Sequence, residues 1–149
     1  MSTIVNRTTK GSALTWAEVD ANFSNLNTDK LQRTTGVITG GFGYTTGAGG
    51  TVTQATSRVT AVTLSKVCGQ IVLFSTTTTA GQVTTFTVTN TLVALADNVI
   101  VSQQSGAGIY FFSLNVNVGS IQISVYTPIA VTVAEAPILN FAIIKSVIA

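Results

Sequence analysis

The side chains that commonly do chemistry in proteins are scarce in this chain. Its 149 residues include no histidine, a single cysteine and five carboxylic acids. Without histidine the chain lacks the usual general base, the commonest metal ligand and every catalytic triad that depends on an imidazole. Cys68 therefore has no base to activate it, and we interpret it as a small buried apolar residue.

The five acids form neither a catalytic pair nor a metal cluster. Carboxylate-pair chemistry requires two acids held at a fixed separation. After residue 33 the only acids are Asp97 and Glu135, and both lie in turn-like breaks where we expect solvated loop charges. Glu18 and Asp20 are two residues apart on a predicted helix, so they point in different directions. The sequence therefore predicts no enzymatic activity, no metal and no cofactor.

The composition indicates a mainly β protein. Thr, Val and Ile number 26, 19 and 12, and β-branched side chains suit a pleated sheet better than a helix. Short apolar segments alternate with turn residues at near-regular spacing, which predicts an antiparallel β-sandwich or jelly-roll-like domain with one N-terminal α-helix. The candidate strands cover residues 51–56, 61–65, 69–76, 83–90, 98–104, 109–117, 120–127, 129–134 and 138–147.

Three candidate strands show which face each side chain takes. In 83–90, Phe86 and Val88 alternate with threonines, and in 120–126 three apolar residues alternate with Ser and Gln. Such alternation is typical of half-buried antiparallel strands. In the aromatic run at 110–112, Tyr110 and Phe112 share one face and Phe111 takes the other. These aromatics are core residues or, in an alternative interpretation, contact a neighbouring subunit or a glycan.

The helix near the N-terminus is specified by local sequence. An extended arm is predicted over 1–14 and a helix over 16–32. Thr15 and Glu18 fit a capping box, in which each side chain accepts a hydrogen bond from the other residue's free backbone donor. Leu14 and Val19 occupy the two positions of a hydrophobic staple. The helix is therefore expected to form whatever it packs against.

The apolar face of this helix requires a partner. Trp16, Val19, Phe23 and Leu26 follow one another at spacings of 3, 4 and 3 residues, a seam shorter than two heptads. A seam of this length does not hold an isolated coiled coil together. Two interpretations are open: the face packs on the chain's own β-domain, or it contacts sister chains or another protein. The glycine-rich segment that follows favours the second.

That glycine-rich segment sets the predicted domain boundaries. Seven of the fifteen residues in 36–50 are glycine, which favours flexible or tightly turning backbone. We predict an N-terminal arm and anchoring or oligomerisation helix over 1–35, a linker over 36–50 and a β-sandwich domain over 51–149. The glycines lack the Gly-Lys-Ser/Thr ending of a phosphate-binding loop, so no such loop is predicted.

Charge is scarce and unevenly distributed. Only 8% of residues are charged, and seven of the twelve charges lie in 1–33. The net charge of +2 and the absence of a basic run argue against nucleic acid. No apolar stretch reaches the roughly 18 residues of a membrane span. A positive mean hydropathy of +0.51 with so few charges favours contacts between subunits.

The segment KGSALTWAEVDANFSNLNTDK, residues 10–30, resembles an N-terminal segment of tailed-bacteriophage virion proteins, of the form L-T-x-x-E-v-D-x-N-F-x-N-L. GYTTGAGGTVTQATSRVTAVTLSKVCGQI, residues 43–71, is similar to a small β-domain of phage structural proteins. The two segments cover about a third of the chain. The residues that match the first pattern are Leu14, Thr15, Glu18, Val19, Asp20, Asn22, Phe23, Asn25 and Leu26.

The resemblance implies a non-enzymatic protein on the exterior of a phage particle, made in the host cytoplasm and usually homotrimeric. Its partners would be its own copies and the major capsid protein or other virion proteins. Host-recognising tail fibres are much longer and carry repetitive shafts, so the short chain favours a capsid decoration protein, such as a cement protein or head fibre. The alternative is a short tail fibre or adhesin that binds a host-surface glycan or protein.

Overall fold

The chain consists of two compact units, Met1–Gly43 and Tyr44–Ala149. The computed structural model describes residues 4–29, 33–34, 37–38 and 43–146, with side chains from 26 to 38 left out of that description. The boundary between the units falls inside the predicted glycine-rich linker over 36–50.

In its described residues, the first unit contains two helices and a small sheet. Helix α1 covers Arg7–Lys10 and helix α2 covers Trp16–Asp29. Strands β1 (Arg33–Thr34) and β2 (Val37–Ile38) pair antiparallel. The predicted helix over 16–32 is confirmed as far as residue 29, and its last three residues lie outside the described part of the chain.

The arm before α2 is not the extended segment that the sequence predicted. Asn6 caps α1 by accepting a hydrogen bond from the Thr8 backbone N–H at 2.9 Å. Gly11 ends the turn in the left-handed conformation, with φ of 72°, and donates its N–H to the Arg7 carbonyl. Asparagine before a helix and glycine after it are the residues these two positions favour, so even four residues form a helical turn.

Between residues 44 and 146 the second unit forms ten strands, which confirms a mainly β fold with an N-terminal helix. The sequence predicted nine; the segment predicted over 69–76 ends at residue 72, and a separate short strand starts at residue 76. The strands are β3 (Thr51–Thr53), β4 (Val62–Thr63), β5 (Cys68–Val72), β6 (Thr76–Thr78), β7 (Gln82–Thr89), β8 (Asn98–Ser105), β9 (Phe111–Asn117), β10 (Ser120–Thr127), β11 (Val131–Glu135) and β12 (Ile138–Ile144).

Two four-stranded sheets make up most of this unit. Their strand orders are β4-β7-β10-β9 and β3-β5-β12-β8, and β11 and β6 form a third, two-stranded sheet. Most neighbours are antiparallel, as predicted, but the edge strands β3 and β4 pair parallel to β5 and β7. The chain passes through the other sheet between β3 and β5, and between β4 and β7. A crossover of that kind returns the chain in the same direction.

One hydrophobic cluster joins side chains from both four-stranded sheets, which is consistent with a sandwich-like arrangement. The alternation predicted for 83–90 and 120–126 is confirmed, since every second side chain of β7 and β10 is buried or half-buried. The fully buried members of the cluster, at 0–1% exposure, are Ile71, Leu73, Val88, Ile121, Ile123, Val125, Leu139 and Ile143.

Candidate functional site

The apolar face of α2 is the first candidate interaction site. Trp16 is 86% exposed and Phe23 is 68% exposed, while Val19 is half-buried. Because helical residues three and four apart are neighbours, these three side chains share one face. The side chain of Leu26, the fourth predicted member, falls outside the structural description. Two large apolar side chains on one stripe are thus presented to solvent.

A capping box holds the start of α2. The Thr15 backbone N–H donates to Glu18 Oε2 at 2.7 Å, and the Glu18 N–H donates to Thr15 Oγ1 at 3.3 Å. These are the two reciprocal bonds that the sequence predicted. Lys10 makes an ion pair with the same carboxylate. The Lys10 ammonium, with the hydrogen bonds from Thr15, lowers the pKa of Glu18 to about 2. Leu14, the other predicted staple residue, is half-buried like Val19.

Asn22 fixes the N-terminal arm against α2, a role that the sequence did not predict. Its side-chain oxygen accepts from the Val5 backbone N–H at 2.7 Å, and its amide nitrogen donates to the Val5 carbonyl at 2.9 Å. Asn22 thereby pairs with one residue of the arm much as a neighbouring β-strand would. Nothing local in the sequence indicated this pairing, because Val5 precedes Asn22 by 17 residues.

Asp97 is not the solvated loop charge that the sequence predicted. Asp97 is only 6% exposed, and its Oδ2 accepts hydrogen bonds from the Ala94 N–H at 2.8 Å and from Lys145 Nζ at 2.6 Å. The Lys145 ammonium and the Ala94 N–H together lower the pKa of this carboxyl group. The ion pair ties the end of β12 to the loop before β8. Its role is therefore structural.

Glu135 also has internal partners, which corrects the second prediction of a solvated charge. Its Oε1 accepts from the Tyr110 hydroxyl at 2.6 Å and from the Gly108 N–H at 3.0 Å, while Oε2 accepts from the Ala107 N–H. Burial alone would raise the pKa of Glu135, but these hydrogen bonds outweigh it and lower the pKa. Burial and the bond to Glu135 raise the pKa of Tyr110.

Arg58 completes this buried network. The residue is 4% exposed, and its guanidinium lies over the Tyr110 ring with Cζ 5.3 Å from the ring centroid. One terminal nitrogen donates to the Tyr110 hydroxyl at 3.2 Å, and the other donates to the Glu135 carbonyl at 2.9 Å. The Nε group donates to the Phe74 carbonyl at 3.1 Å. A buried guanidinium with this many acceptors links three separate segments of the unit.

A shallow cavity of about 400 Å³ opens beside Glu135, between the loop at 107–109 and the segment 129–135. Apart from Glu135 and Thr132 its lining is apolar or glycine. The Glu135 carboxylate accepts three hydrogen bonds, two of them from the backbone of the loop at 107–109, and so holds this loop in place. Cys68 is half-buried, not buried as predicted.

The described residues contain no group of three or more His, Cys, Asp or Glu side chains placed to hold a metal ion. Within the same residues, neither helix has the length and apolar character that crossing a bilayer requires.

Comparisons with known proteins add no relative. Neither a protein-family model, nor a curated protein, nor a solved structure matches this chain.

Proposed function

We propose that this chain is a non-enzymatic structural subunit on the exterior of a bacteriophage particle, and that it acts as a homotrimeric capsid decoration protein. In this role α2 mediates self-association or attachment to the major capsid protein or another virion protein. The β-domain is the displayed part. Resemblance of residues 10–30 and 43–71 to phage virion proteins supports the setting.

The observation that carries this proposal is the exposure of Trp16 and Phe23 on one face of α2. Burying a phenylalanine side chain that would otherwise be exposed contributes about 1.5–3 kcal/mol. A capped helix that presents two such side chains on one face gains that energy only when something covers them. Sister copies or a particle surface would provide the cover.

The charge distribution of the second unit supports assembly as well. Only five charged residues lie beyond residue 33, and each has an internal partner: Asp97 pairs with Lys145, Arg58 and Glu135 share the Tyr110 network, and Lys66 donates to the Gly47 carbonyl at 3.3 Å. Because the surface of the unit has almost no unpaired charge, it can lie against other chains without losing solvation of ions.

A second candidate is a short tail fibre or adhesin that binds a host-surface receptor. One observation favours it: Phe111 and Tyr126 are both exposed and stack on the outside of the β-domain, with ring centroids 6.3 Å apart.

Immunogold labelling of the phage particles separates the two candidates. An antibody raised against the β-domain should label the head if the chain is a decoration protein. Label confined to the tail would replace the decoration proposal by the second candidate. If complete phage particles carried label on neither the head nor the tail, both candidate functions would be contradicted.

A further inference from the structure

One outer face of the β-domain is free of charge across three strands. The outward side chains of β9, β10 and β7 form four cross-strand rows, fixed by the pairing of β10 with both neighbours. We call these twelve side chains the neutral face. Its first row is apolar, and its other three rows are polar.

The apolar row consists of Phe111, Tyr126 and Val83, which lie directly opposite one another in the sheet. They are 58%, 41% and 60% exposed. The two aromatic rings stack on each other, with centroids 6.3 Å apart and planes inclined by 23°, so they form one exposed aromatic pair. The electron-rich face of an aromatic ring attracts weakly positive C–H groups.

The polar rows contain only hydroxyl and carboxamide side chains. Their nine residues are Ser113, Ser124 and Thr85 in the second row, Asn115, Gln122 and Thr87 in the third, and Asn117, Ser120 and Thr89 in the fourth.

Two carboxamides lie directly opposite each other in the third row. Asn115 and Gln122 are both exposed, and no hydrogen bond to either side chain occurs within the described part of the chain. Each offers two N–H donors and one carbonyl acceptor. Thr85 and Ser124, in the row between, already pair through their hydroxyls at 2.8 Å. The two carboxamides therefore lie two rows beyond the aromatic row, with the Thr85–Ser124 pair in the row between.

The spacing of these features sets the size of a ligand. Residues two apart on one strand are separated by about 6.6 Å, so the aromatic row and the carboxamide row lie about 13 Å apart. A ligand that used both would be extended. It would offer C–H groups to the aromatic rings at one end and hydroxyl or amide groups at the other.

The composition of the neutral face decides which class of partner fits. Interfaces between protein chains have apolar cores and are depleted in serine, whereas nine of these twelve positions are polar. Anionic partners such as nucleic acid or sulfated polymers require lysine or arginine, and the face has none. A neutral saccharide matches on both counts, because it carries an apolar C–H face and many uncharged hydroxyl groups.

We infer that the neutral face binds an uncharged oligosaccharide, which packs against the exposed parts of Phe111 and Tyr126 and forms hydrogen bonds with Asn115 and Gln122. This site involves the β-domain alone and does not depend on the trimer or on attachment through α2. It adds a glycan-binding activity to a chain proposed to serve a structural role.

A printed array tests this inference with the full-length chain. The array carries neutral hexose and N-acetylhexosamine oligosaccharides, with sialylated and sulfated oligosaccharides on the same slide. Phe111→Ala and Gln122→Ala remove one contact from each half of the site. Ile100→Ala is the matched control, because Ile100 is an exposed apolar residue on β8, in the other four-stranded sheet. Circular dichroism checks that each variant is folded.

Binding to one or more neutral oligosaccharides, weakened about tenfold by Phe111→Ala and by Gln122→Ala but not by Ile100→Ala, is the expected result. Binding only to charged glycans, binding unchanged by both face variants, or no binding at all would overturn the inference. A change in oligomeric mass in Phe111→Ala would also overturn it, since the face would then be covered by a sister chain. Glycan binding per chain should persist in a monomeric Phe23→Asp variant. This variant therefore separates a failure of the trimer proposal from a failure of the glycan-binding inference.

Discussion

At the scale of single residues, the charged side chains of the β-domain form an ion pair and hydrogen bonds that join distant segments of the chain. Asp97 and Lys145 join parts of the chain 48 residues apart, and Arg58 reaches the Glu135 carbonyl across 77 residues. Sequence reasoning placed Asp97 correctly in a break between strands, but it placed Glu135 in a break although this residue ends β11, and it interpreted both acids as solvated. Their partners could not be predicted, because nothing local in the sequence indicates which distant cation or hydroxyl will lie beside a loop carboxylate.

Acid should destabilise the β-domain through these two carboxylates. The pKa of Asp97 and that of Glu135 are both lower in the folded chain than their ordinary values of about 4. The stability they contribute is therefore present above that range and lost as pH falls through the folded pKa values. Thermal melts from about pH 6 to about pH 2 should show a falling midpoint.

A double variant, Asp97→Asn with Glu135→Gln, is the control for the acid effect. It should melt lower than the original chain near neutral pH, and its midpoint should depend less on pH. If the melting midpoint of the original chain stayed constant over this pH range, the two carboxylates would not stabilise the β-domain as proposed.

Gly108 is required by the packing around Glu135. A Cβ atom at this position would lie 2.7 Å from Val131 Cγ2, 2.8 Å from the Tyr110 hydroxyl and 2.9 Å from Glu135 Oε1. Gly108→Ala should therefore lower the free energy of unfolding by about 1–3 kcal/mol, as overpacking does elsewhere. Denaturant titration measures the loss. Gly43→Ala, where a Cβ meets nothing within 4 Å, should leave the value nearly unchanged.

At the scale of elements, alternation and capping were the informative signals. The strands at 83–90 and 120–127 and the start of α2 agree with prediction because each is specified within a few residues. The parallel pairing of β3 and β4 was missed, since strand direction follows from how the chain crosses between sheets. The short strand β6 was missed because its three threonines have a pairing partner, β11, more than fifty residues later.

The capping box gives a test of local helix specification. Thr15→Ala removes the hydroxyl that accepts from the Glu18 N–H, and should cost about 1 kcal/mol of helix stability. Hydrogen exchange of the α2 amides, followed by NMR, should be faster in this variant. Thr15→Ser keeps the hydroxyl and should exchange at nearly the original rate. If the α2 amides of the alanine variant exchanged at the same rate as those of the original chain, the cap would not stabilise the helix.

At the scale of the whole molecule, the chain carries large apolar side chains on α2 and little free charge on its β-domain. Both features suit a subunit made for assembly, and neither suits an isolated monomer that depends on a charged surface for solubility. Contacts of this kind depend weakly on salt, because screening acts on exposed charges. Association through them should therefore persist at high ionic strength.

Phe23→Asp places a charge in the middle of the apolar face of α2. We expect it to weaken self-association or particle attachment while the β-domain stays folded by circular dichroism. Ala21→Asp is the matched control, because Ala21 lies about half a turn around the helix from Phe23's face and is also exposed. Unfolding of the β-domain in Phe23→Asp would instead show that this face belongs to its core.

The mass of the full-length chain in solution tests the central proposal most directly. Sedimentation or native mass spectrometry should find a species of three times the 15.4 kDa chain, at both low and high salt. The Phe23→Asp variant should shift toward a single chain, and Ala21→Asp should not. A stable monomer of the original chain at the concentrations used for assembly would contradict the proposal of a homotrimer.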